Sequence, residues 1–390
     1  MVSWEYPPVV EGGLGRHVGK LAEQLARDGL DVGVLTRGAR GGERHGVTVH
    51  RVAEPDFPRH DTEAFIAWVE QMNRDLHAAG TDLGGGFDLV HSHDWLVADA
   101  ARELARDAGV PWLVTVHATE SGRHGGRVGQ PPQSRIHAVE REMVRAADAV
   151  ICCSAYMREH IAGAFGVPAG AIGVIPNGID PSDLQPVADL PRLRRSLAAP
   201  EERLVLLVGR LVYEKGFHLA LDALPRLIER VGGVRFVVAG SGMAEAELRA
   251  QAERLGLMEH GTFLGWVGDE GLHSLYRIAD LCVVPSLYEP FGLVALEAMA
   301  SGCPTIVADT GGLREVVPAD ERVGLRFRAR DAGSLAAMAE RLLSDDALRD
   351  RLVAQAREHV LQFDWADAAR QLAAGYARVC RARTGPSTTA

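Results

Sequence analysis

The chain has 390 residues, of which 47% are hydrophobic and 24% are charged, and its formal net charge is −10. This length predicts two globular domains, and the acidic balance argues against a general nucleic-acid-binding protein, which needs clustered Lys and Arg. The five cysteines have no disulfide or zinc spacing, and we find neither a signal segment nor an apolar run of the roughly 18 residues that span a membrane, so a cytoplasmic protein is expected.

A glycine-rich turn precedes the first predicted helix. The apolar spacing in "LGRHVGKLAEQLARDG" predicts an amphipathic helix that ends near Asp28, with Gly29 as its left-handed stop. In the preceding "EGGLG" turn, glycines let a ligand approach the backbone, and the helix start offers N–H groups that suit an anion. The alternative is a plain connecting turn. Only "MVSW" is available for a first strand, which we expect to be short or truncated.

Short apolar runs alternate with helical patterns along both halves of the chain. Continuous β-branched runs between helices indicate parallel strands that are covered on both faces, so we predict an α/β fold of two doubly wound, Rossmann-like domains. The runs are "DVGVLT", "FDLVHS", "PWLVTVH" and "DAVICCS", then "RLVLLVG", "VRFVVAG", "ADLCVVPS" and "CPTIVAD".

A segment rich in proline and charge, residues 181–203, separates the two sets of strands and is predicted to be the linker. We expect an N-terminal domain over residues 1–183, a C-terminal domain over 184–365, and a helix over 366–383 that packs back on the first domain. Ligands of such sheets lie beyond the carboxyl ends of the strands, so we expect the functional residues in a cleft lined by the turns of both domains.

Three polar residues of the first half follow predicted strands. Asp94, after "HSH", either caps the next helix or contacts a ligand. His117 ends the run "PWLVTV", where a ligand role competes with an ordinary structural histidine. Asn177, in "PNGID", is either a turn former or a weaker site candidate.

The most informative segment is "VVPSLYEPFGLVALEAMASG". A strand ends ahead of Glu289, and a helix then carries Glu297, eight positions later. An acid in the turn can reach a reacting centre, and an acid two helical turns along can accept hydrogen bonds from ligand hydroxyls. The helix start can hold phosphate through the backbone N–H groups of Gly292, Leu293 and Val294. Alternatively, the two glutamates belong to a solvated face.

This segment resembles the Glu-x7-Glu signature of retaining, nucleotide-sugar-dependent glycosyltransferases of the GT-B architecture, specifically glycosyltransferase family 4. The resemblance covers nearly the whole chain in order, through "GGLGRH", "HSHDW", "TVHATESGRHGG", "VIPNGID", "GRLVYEKG", "GSG" and the glutamate segment. It is nearest to the glycogen-synthase-like branch.

The resemblance implies a role for each matching residue at the donor. Arg210 and Lys215 match the basic pair that neutralises the donor diphosphate. Glu297 matches the residue that binds ribose hydroxyls, and Glu289 the residue near the anomeric carbon of the transferred sugar. Gly13 matches a backbone contact to phosphate from the N-terminal domain.

Further roles follow from the same resemblance. His117 matches a histidine beside the donor sugar, so the catalytic candidates are Glu289, His117 and the basic pair. Asp94, Glu120 and Asn177 are expected to contact the acceptor or the sugar. Val267 lies in "GWVGDEGLHSLY", which resembles the loop that reads the nucleotide base through backbone atoms.

The implied reaction is transfer of a sugar, most simply glucose, from a nucleoside diphosphate to an α-glucan or another carbohydrate, with retained configuration. We find no Asp-x-Asp triplet, so we expect no metal and no cofactor, with basic residues and helix starts stabilising the leaving group. Val10 and Phe291 depart from starch and bacterial glycogen synthases, which have Lys and Cys there. A small acceptor, as in sucrose-, trehalose- or mannosyl-transferring enzymes, is therefore the alternative.

Other classes stay open. A nucleotide-sugar epimerase would need no acceptor. A two-domain oxidoreductase would want Gly-x-Gly-x-x-Gly after the first strand, and "GGLGRHV" lacks the last glycine of that pattern. An inactive sugar-nucleotide-binding module is disfavoured by the intact glutamates and basic pair. The sequence carries no signal for an oligomeric state.

Overall fold

Two β-sheets organise the chain. The computed structural model describes residues 1–54 and 62–384. The chain divides into a first unit, residues 1–178 with the helix that begins at Trp365, and a second unit, Ile179–Asp364. Each unit is a doubly wound α/β domain, which confirms the predicted fold class.

The first unit is built on an eight-stranded sheet. Its strands are β1 (Val2–Ser3), β2 (Val32–Arg37), β3 (Gly42–Arg44), β4 (Val47–Val52), β5 (Val90–His93), β6 (Trp112–Val116), β7 (Ala149–Cys152) and β8 (Ile172–Val174). Its first helices are α1 (Gly13–Arg27), α2 (Thr62–Asp82), α3 (Ala98–Ala108), α4 (Glu120–Arg123), α5 (Gln133–Ala146) and α6 (Ala155–Phe165). The strand order is β3-β4-β2-β1-β5-β6-β7-β8, and every pair is parallel except β3 with β4.

The first strand is as short as expected, and it is central. Val2 of β1 is in register with Leu35 of β2 on one side and with Ser92 of β5 on the other. The strand order reverses between β1 and β5, and such a reversal opens a ligand-binding crevice at the carboxyl ends. The turn after β1 and the ends of β5 and β6 therefore border this crevice.

The second unit is built on a six-stranded, fully parallel sheet. Its strands are β9 (Arg203–Val208), β10 (Val234–Ala239), β11 (Gly261–Gly265), β12 (Leu281–Val284), β13 (Thr305–Ala308) and β14 (Leu325–Phe327). Its helices are α7 (Leu190–Leu197), α8 (Phe217–Val231), α9 (Glu245–Arg254), α10 (Asp269–Ile278), α11 (Leu293–Ala300), α12 (Leu313–Val316), α13 (Ala332–Ser344) and α14 (Asp346–His359). The order β11-β10-β9-β12-β13-β14 reverses between β9 and β12, which places the crevice of this unit there.

The segment 181–203 was predicted to be a linker between the domains, but in the structure it is part of the second unit. It contains α7, whose Arg194 donates a hydrogen bond to the Asp280 carboxylate at 2.9 Å, and its Val187 N–H donates to Ser274 Oγ at 2.8 Å. The chain instead crosses between the units at Gly178 and Ile179. Charge and proline marked this segment as irregular, but these long-range bonds attach it to the second unit.

The last helix, α15 (Trp365–Thr384), belongs to the first unit. Its residues Trp365, Ala368, Ala369 and Leu372 share one buried cluster with Val18, Leu21 and Leu25 of α1. None of the helices in the described ranges is long and apolar enough to cross a membrane.

Candidate active site

A lysine and a glutamate meet at the crevice of the second unit. Lys215 lies in the turn after β9, and Glu289 lies in the turn after β12. The Lys215 Nζ is 2.8 Å from Oε2 of Glu289, and the buried Ser286 hydroxyl donates to the same oxygen at 3.0 Å. Glu289 is therefore held by a cation and a hydroxyl at the point where the strand order reverses.

Two glycines allow these turns to pack closely. Gly216 has φ +68°, and a Cβ there would lie 2.0 Å from the carbonyl oxygen of Pro285. Gly311 has φ +54°, and a Cβ there would lie 2.2 Å from the carbonyl oxygen of Glu289, which also accepts the Gly312 N–H at 2.9 Å. Only glycine satisfies both the left-handed backbone and the missing space. The backbone on both sides of the pair is thus fixed.

Glu297 is buried on α11, where Tyr276 donates its hydroxyl hydrogen to Oε2 at 3.0 Å. The first intrahelical bonds of α11 are those from Ala295 and Leu296 to the carbonyl of Gly292. The N–H groups of Gly292, Leu293 and Val294 therefore precede the hydrogen-bonded part of the helix, where orphan donors and the helix dipole favour an anion.

The remaining donor-side candidates lie at the same edge of this sheet. Arg210 is exposed and follows β9 by two residues, and Val267 is half-buried in the turn between β11 and α10. Its neighbour Trp266 is 74% exposed. Because the carboxyl ends of parallel strands meet at one edge, Arg210, Lys215, Val267 and Glu289 are all carried by turns of that edge.

In the first unit, the glycine-rich turn is held by a carboxylate that the sequence did not reveal. Oε2 of the buried Glu5 accepts the N–H groups of Glu11 at 2.7 Å and Gly12 at 3.1 Å. A Cβ on Gly15 would lie 2.9 Å from that oxygen, so this glycine makes room for the carboxylate. The N–H groups of residues 11 and 12 are thus already used, and Gly13 begins α1 as an exposed residue.

Asp94 does not cap a helix. Its side chain makes no capping bond; Oδ1 instead accepts the N–H of His117 at 2.6 Å. Its φ is +62°, a backbone conformation that costs a non-glycine residue about 1–3 kcal/mol and is common at functional sites. Burial raises the pKa of Asp94 to about 6. The capping alternative is therefore wrong, and Asp94 positions the backbone of His117.

A second buried acid, which the sequence pattern does not predict, holds the start of α4. Oε1 of Glu140 accepts the N–H of Glu120, the first residue of α4, at 2.8 Å. Oε1 of Glu120 lies 3.0 Å from His124 Nε2. Burial raises the pKa of Glu140 to about 8, so a large share of this carboxyl is protonated at neutral pH.

Three histidines cluster at the edge of the sheet where β5 and β6 end. Nδ1 of His17 lies 2.9 Å from Oδ1 of the buried Asn177, and Nδ1 of His93 lies 3.0 Å from Nε2 of His117. The rings of His17 and His117 are edge to face, with centroids 4.5 Å apart. Burial lowers the pKa of all three histidines, that of His117 to about 4, so the rings are neutral at neutral pH.

Several of the predicted site residues are therefore connected to one another, in part through His17, which the sequence analysis did not identify as a site residue. His17 links Asn177 to His117, and Asp94 holds the backbone of His117. Asn177 is thus more than a turn former, because its side chain is buried and paired 160 positions away. The signal that the sequence offers for His17 and His93 is that each lies within a motif already singled out, "GGLGRH" and "HSHDW" respectively.

Comparisons with known proteins agree on one group. The family model "Glycosyltransferase Family 4" matches residues 11–183, and the model "Glycosyl transferases group 1" matches residues 191–359. The glycogen synthase of Mycobacterium tuberculosis is 40% identical, over 99% of this chain and 96% of the relative. The D-inositol 3-phosphate glycosyltransferase of Frankia alni is 33% identical, over 94% of each chain. The sucrose-phosphate synthase structure from Thermosynechococcus elongatus superposes with a TM-score of 0.84 at 28% identity, over 98% of this chain and 99% of the other.

Proposed function

The chain belongs to glycosyltransferase family 4, and on that premise we propose that it transfers glucose, with retained configuration, from a nucleoside-diphosphate glucose to an α-glucan. It is a nucleotide-sugar glycosyltransferase with the two doubly wound domains of the GT-B architecture.

The observation that carries the proposal is the Lys215–Glu289 pair at the crevice of the second unit. Departure of a nucleoside diphosphate leaves negative charge on phosphate oxygens, and preorganised donors at that position are usually the largest catalytic factor. We assign this role to Lys215, to Arg210 and to the N–H groups at the start of α11. To Gly13, at the start of α1, we assign a backbone contact to phosphate.

The two glutamates act on the donor at different points. Glu297, with one carboxylate oxygen bonded to Tyr276, binds the ribose hydroxyls. Glu289 positions the sugar and stabilises positive charge at its anomeric carbon. We do not assign Glu289 as a nucleophile, because Lys215 and Ser286 both bond to Oε2, which lowers its nucleophilicity. The departing phosphate takes the acceptor's proton, and the acceptor attacks from the same face.

We also assign roles to residues of the first unit. His117 lies beside the donor sugar as a neutral imidazole whose backbone is held by Asp94. Glu120 and Asn177 contact the sugar or the acceptor. Val267 reads the base through its backbone. This set needs no metal to stabilise the leaving group, which is why metal-independent transfer is part of the proposal.

The glycogen synthase relative, at 40% identity, favours glucose and an α-glucan. A small acceptor is the second candidate, because relatives named for D-inositol 3-phosphate and for sucrose phosphate cover almost the whole chain. Phe291 gives a further reason to keep it, because its buried ring packs edge to face on Phe363 where the resembling synthases carry Cys.

The test is turnover of the full-length protein with ADP-, UDP- and GDP-glucose and GDP-mannose, each offered with glycogen, D-inositol 3-phosphate or fructose 6-phosphate. We expect release of nucleoside diphosphate from one glucose donor, dependent on glycogen, with radiolabelled glucose in the polymer. Transfer only to a small acceptor would replace the first candidate by the second. Conversion of the donor without any acceptor would indicate an epimerase and contradict both.

A further inference from the structure

We propose that His17, His93 and His117 form a binding site for one divalent transition-metal ion, of which Zn²⁺ is the best-matched example. One ligand atom from each ring lies within 4.8 Å of the other two. The site shares His117 with the residues proposed above to act at the donor sugar, but the bound metal ion itself is not needed for the transfer reaction.

The hydrogen bonding of His17 is typical of a metal-binding histidine. The amide oxygen of Asn177 can only accept, so it receives the proton of Nδ1 at 2.9 Å. Nε2 of His17 must then carry its lone pair, and this buried atom has no hydrogen-bond partner among the described residues. A histidine whose other nitrogen is held by a carbonyl or carboxylate is the common second-shell pattern of metal sites.

The spacing of the other two ligands also fits. Nδ1 of His93 and Nε2 of His117 are 3.0 Å apart. Zn–N bonds of about 2.0–2.1 Å in a tetrahedron give a nitrogen–nitrogen edge of about 3.3 Å. A metal ion fits between the two rings after a small outward shift, once the proton that now lies between them has moved to the other nitrogen of the ring that carries it. Approach of His17 then supplies the third ligand.

The three histidines are carried by or directly follow elements of regular secondary structure. His17 is on α1, His93 ends β5, and His117 follows the neighbouring strand β6. The ring of Trp365 packs against His17 with centroids 5.5 Å apart. His91 is excluded as a fourth ligand, since its two nitrogens are engaged by Tyr376 at 2.7 Å and Thr115 at 2.8 Å.

The chemistry of the donors selects the ion. Three imidazoles without a carboxylate suit Zn²⁺, Cu²⁺, Ni²⁺ or Co²⁺ and exclude Mg²⁺ and Ca²⁺, which prefer oxygen. His117 is partly exposed, so water can reach the ion and serve as its fourth ligand, as in open three-histidine sites.

The test is metal binding by full-length protein freed of metal with chelator. Titration with Zn²⁺ should show one site by calorimetry, and Co²⁺ should give the intense visible absorption of a tetrahedral site. His93→Gln should abolish both signals, and Asn177→Ala should weaken Zn²⁺ binding about 10- to 100-fold by freeing the His17 ring. His77→Gln is the matched control, because His77 is a surface histidine paired with Asp107, and it should bind as the parent protein does.

Absence of a one-to-one site in the parent protein, or binding unchanged in His93→Gln, would overturn the proposal. If His93→Gln loses its native circular dichroism, X-ray absorption of the zinc-loaded parent decides: three nitrogen ligands support the site, and a shell of oxygens refutes it. One consequence rests on the proposed function: zinc bound to His117 should inhibit transfer, and chelator should restore it. Binding without inhibition would contradict the role of His117 at the donor sugar and leave the metal site standing.

Discussion

Replacement of Lys215 by Met tests the proposed stabilisation of the leaving group. The chain has only two lysines, Lys20 and Lys215, so Lys20→Met is a matched control. The Lys215 and Glu289 side chains are 22% and 11% exposed, with 2.8 Å between charged atoms. In such a site a hydrogen bond to a charged group contributes about 1.5–3 kcal/mol. At 1.36 kcal/mol per factor of ten, losing one such bond to the diphosphate lowers kcat/KM about 10- to 150-fold.

The assay is release of nucleoside diphosphate at donor concentrations below KM, with glycogen as acceptor. Circular dichroism checks that Lys215→Met is folded, since removal of the lysine takes away one of the two bonds that Oε2 of Glu289 makes with Lys215 and Ser286. We expect Lys215→Arg to recover part of the activity, because the guanidinium keeps the charge but changes its geometry. A folded Lys215→Met with the kcat/KM of Lys20→Met would refute the reasoning.

Four further outcomes are expected. Glu289→Gln should lose most turnover without ever giving a covalent glycosyl adduct in intact-protein mass spectrometry, and such an adduct would identify a nucleophile instead. Burial raises the pKa of Glu140 from 4.5 to about 8, so its folded-state pKa lies above the unfolded one; the stability contributed by the protonated acid is complete below pH 4.5 and is lost as the pH rises through 8. The free energy of unfolding of the parent should therefore fall relative to that of Glu140→Gln by at most roughly 1.4 kcal/mol per pH unit across that window. Free energies of unfolding that change equally with pH in the two proteins would contradict this. A Cβ at Gly178 would lie 2.5 Å from the Trp365 ring, so Gly178→Ala should destabilise by about 1–3 kcal/mol, and an unchanged thermal midpoint would contradict that packing. Excess EDTA should leave transfer intact, whereas its abolition would contradict metal-independent stabilisation of the diphosphate.

The central strands could be predicted from the sequence because they are continuous apolar runs. The end of the first helix was equally clear, because Gly29 takes a left-handed conformation with φ +93°. Edge strands were missed. All three residues of β3 are exposed, and β8 and β14 have three residues each. Such segments become strands only because a neighbouring strand offers its backbone, which no local pattern records.

The site residues divide in the same way, into those that a local pattern predicts and those whose roles depend on the fold. Glu289 and Glu297 were visible because both belong to one short turn-and-helix segment. Glu5, Glu140 and His93 were missed because their roles depend on which strand ends and turns lie side by side. Asp94 was misassigned in one of its two alternatives for this reason: a polar residue before a helix resembles a cap, whereas here the neighbouring strand presents the N–H of His117.

The most direct test of the central claim is the configuration of the first product. Proton NMR during transfer from an α-linked nucleoside-diphosphate glucose to a short glucan follows the new anomeric proton before any later reaction. The proposed transfer with retained configuration predicts an α-linked product together with released nucleoside diphosphate. A β-linked first product, or glucose given to water alone, would contradict the account.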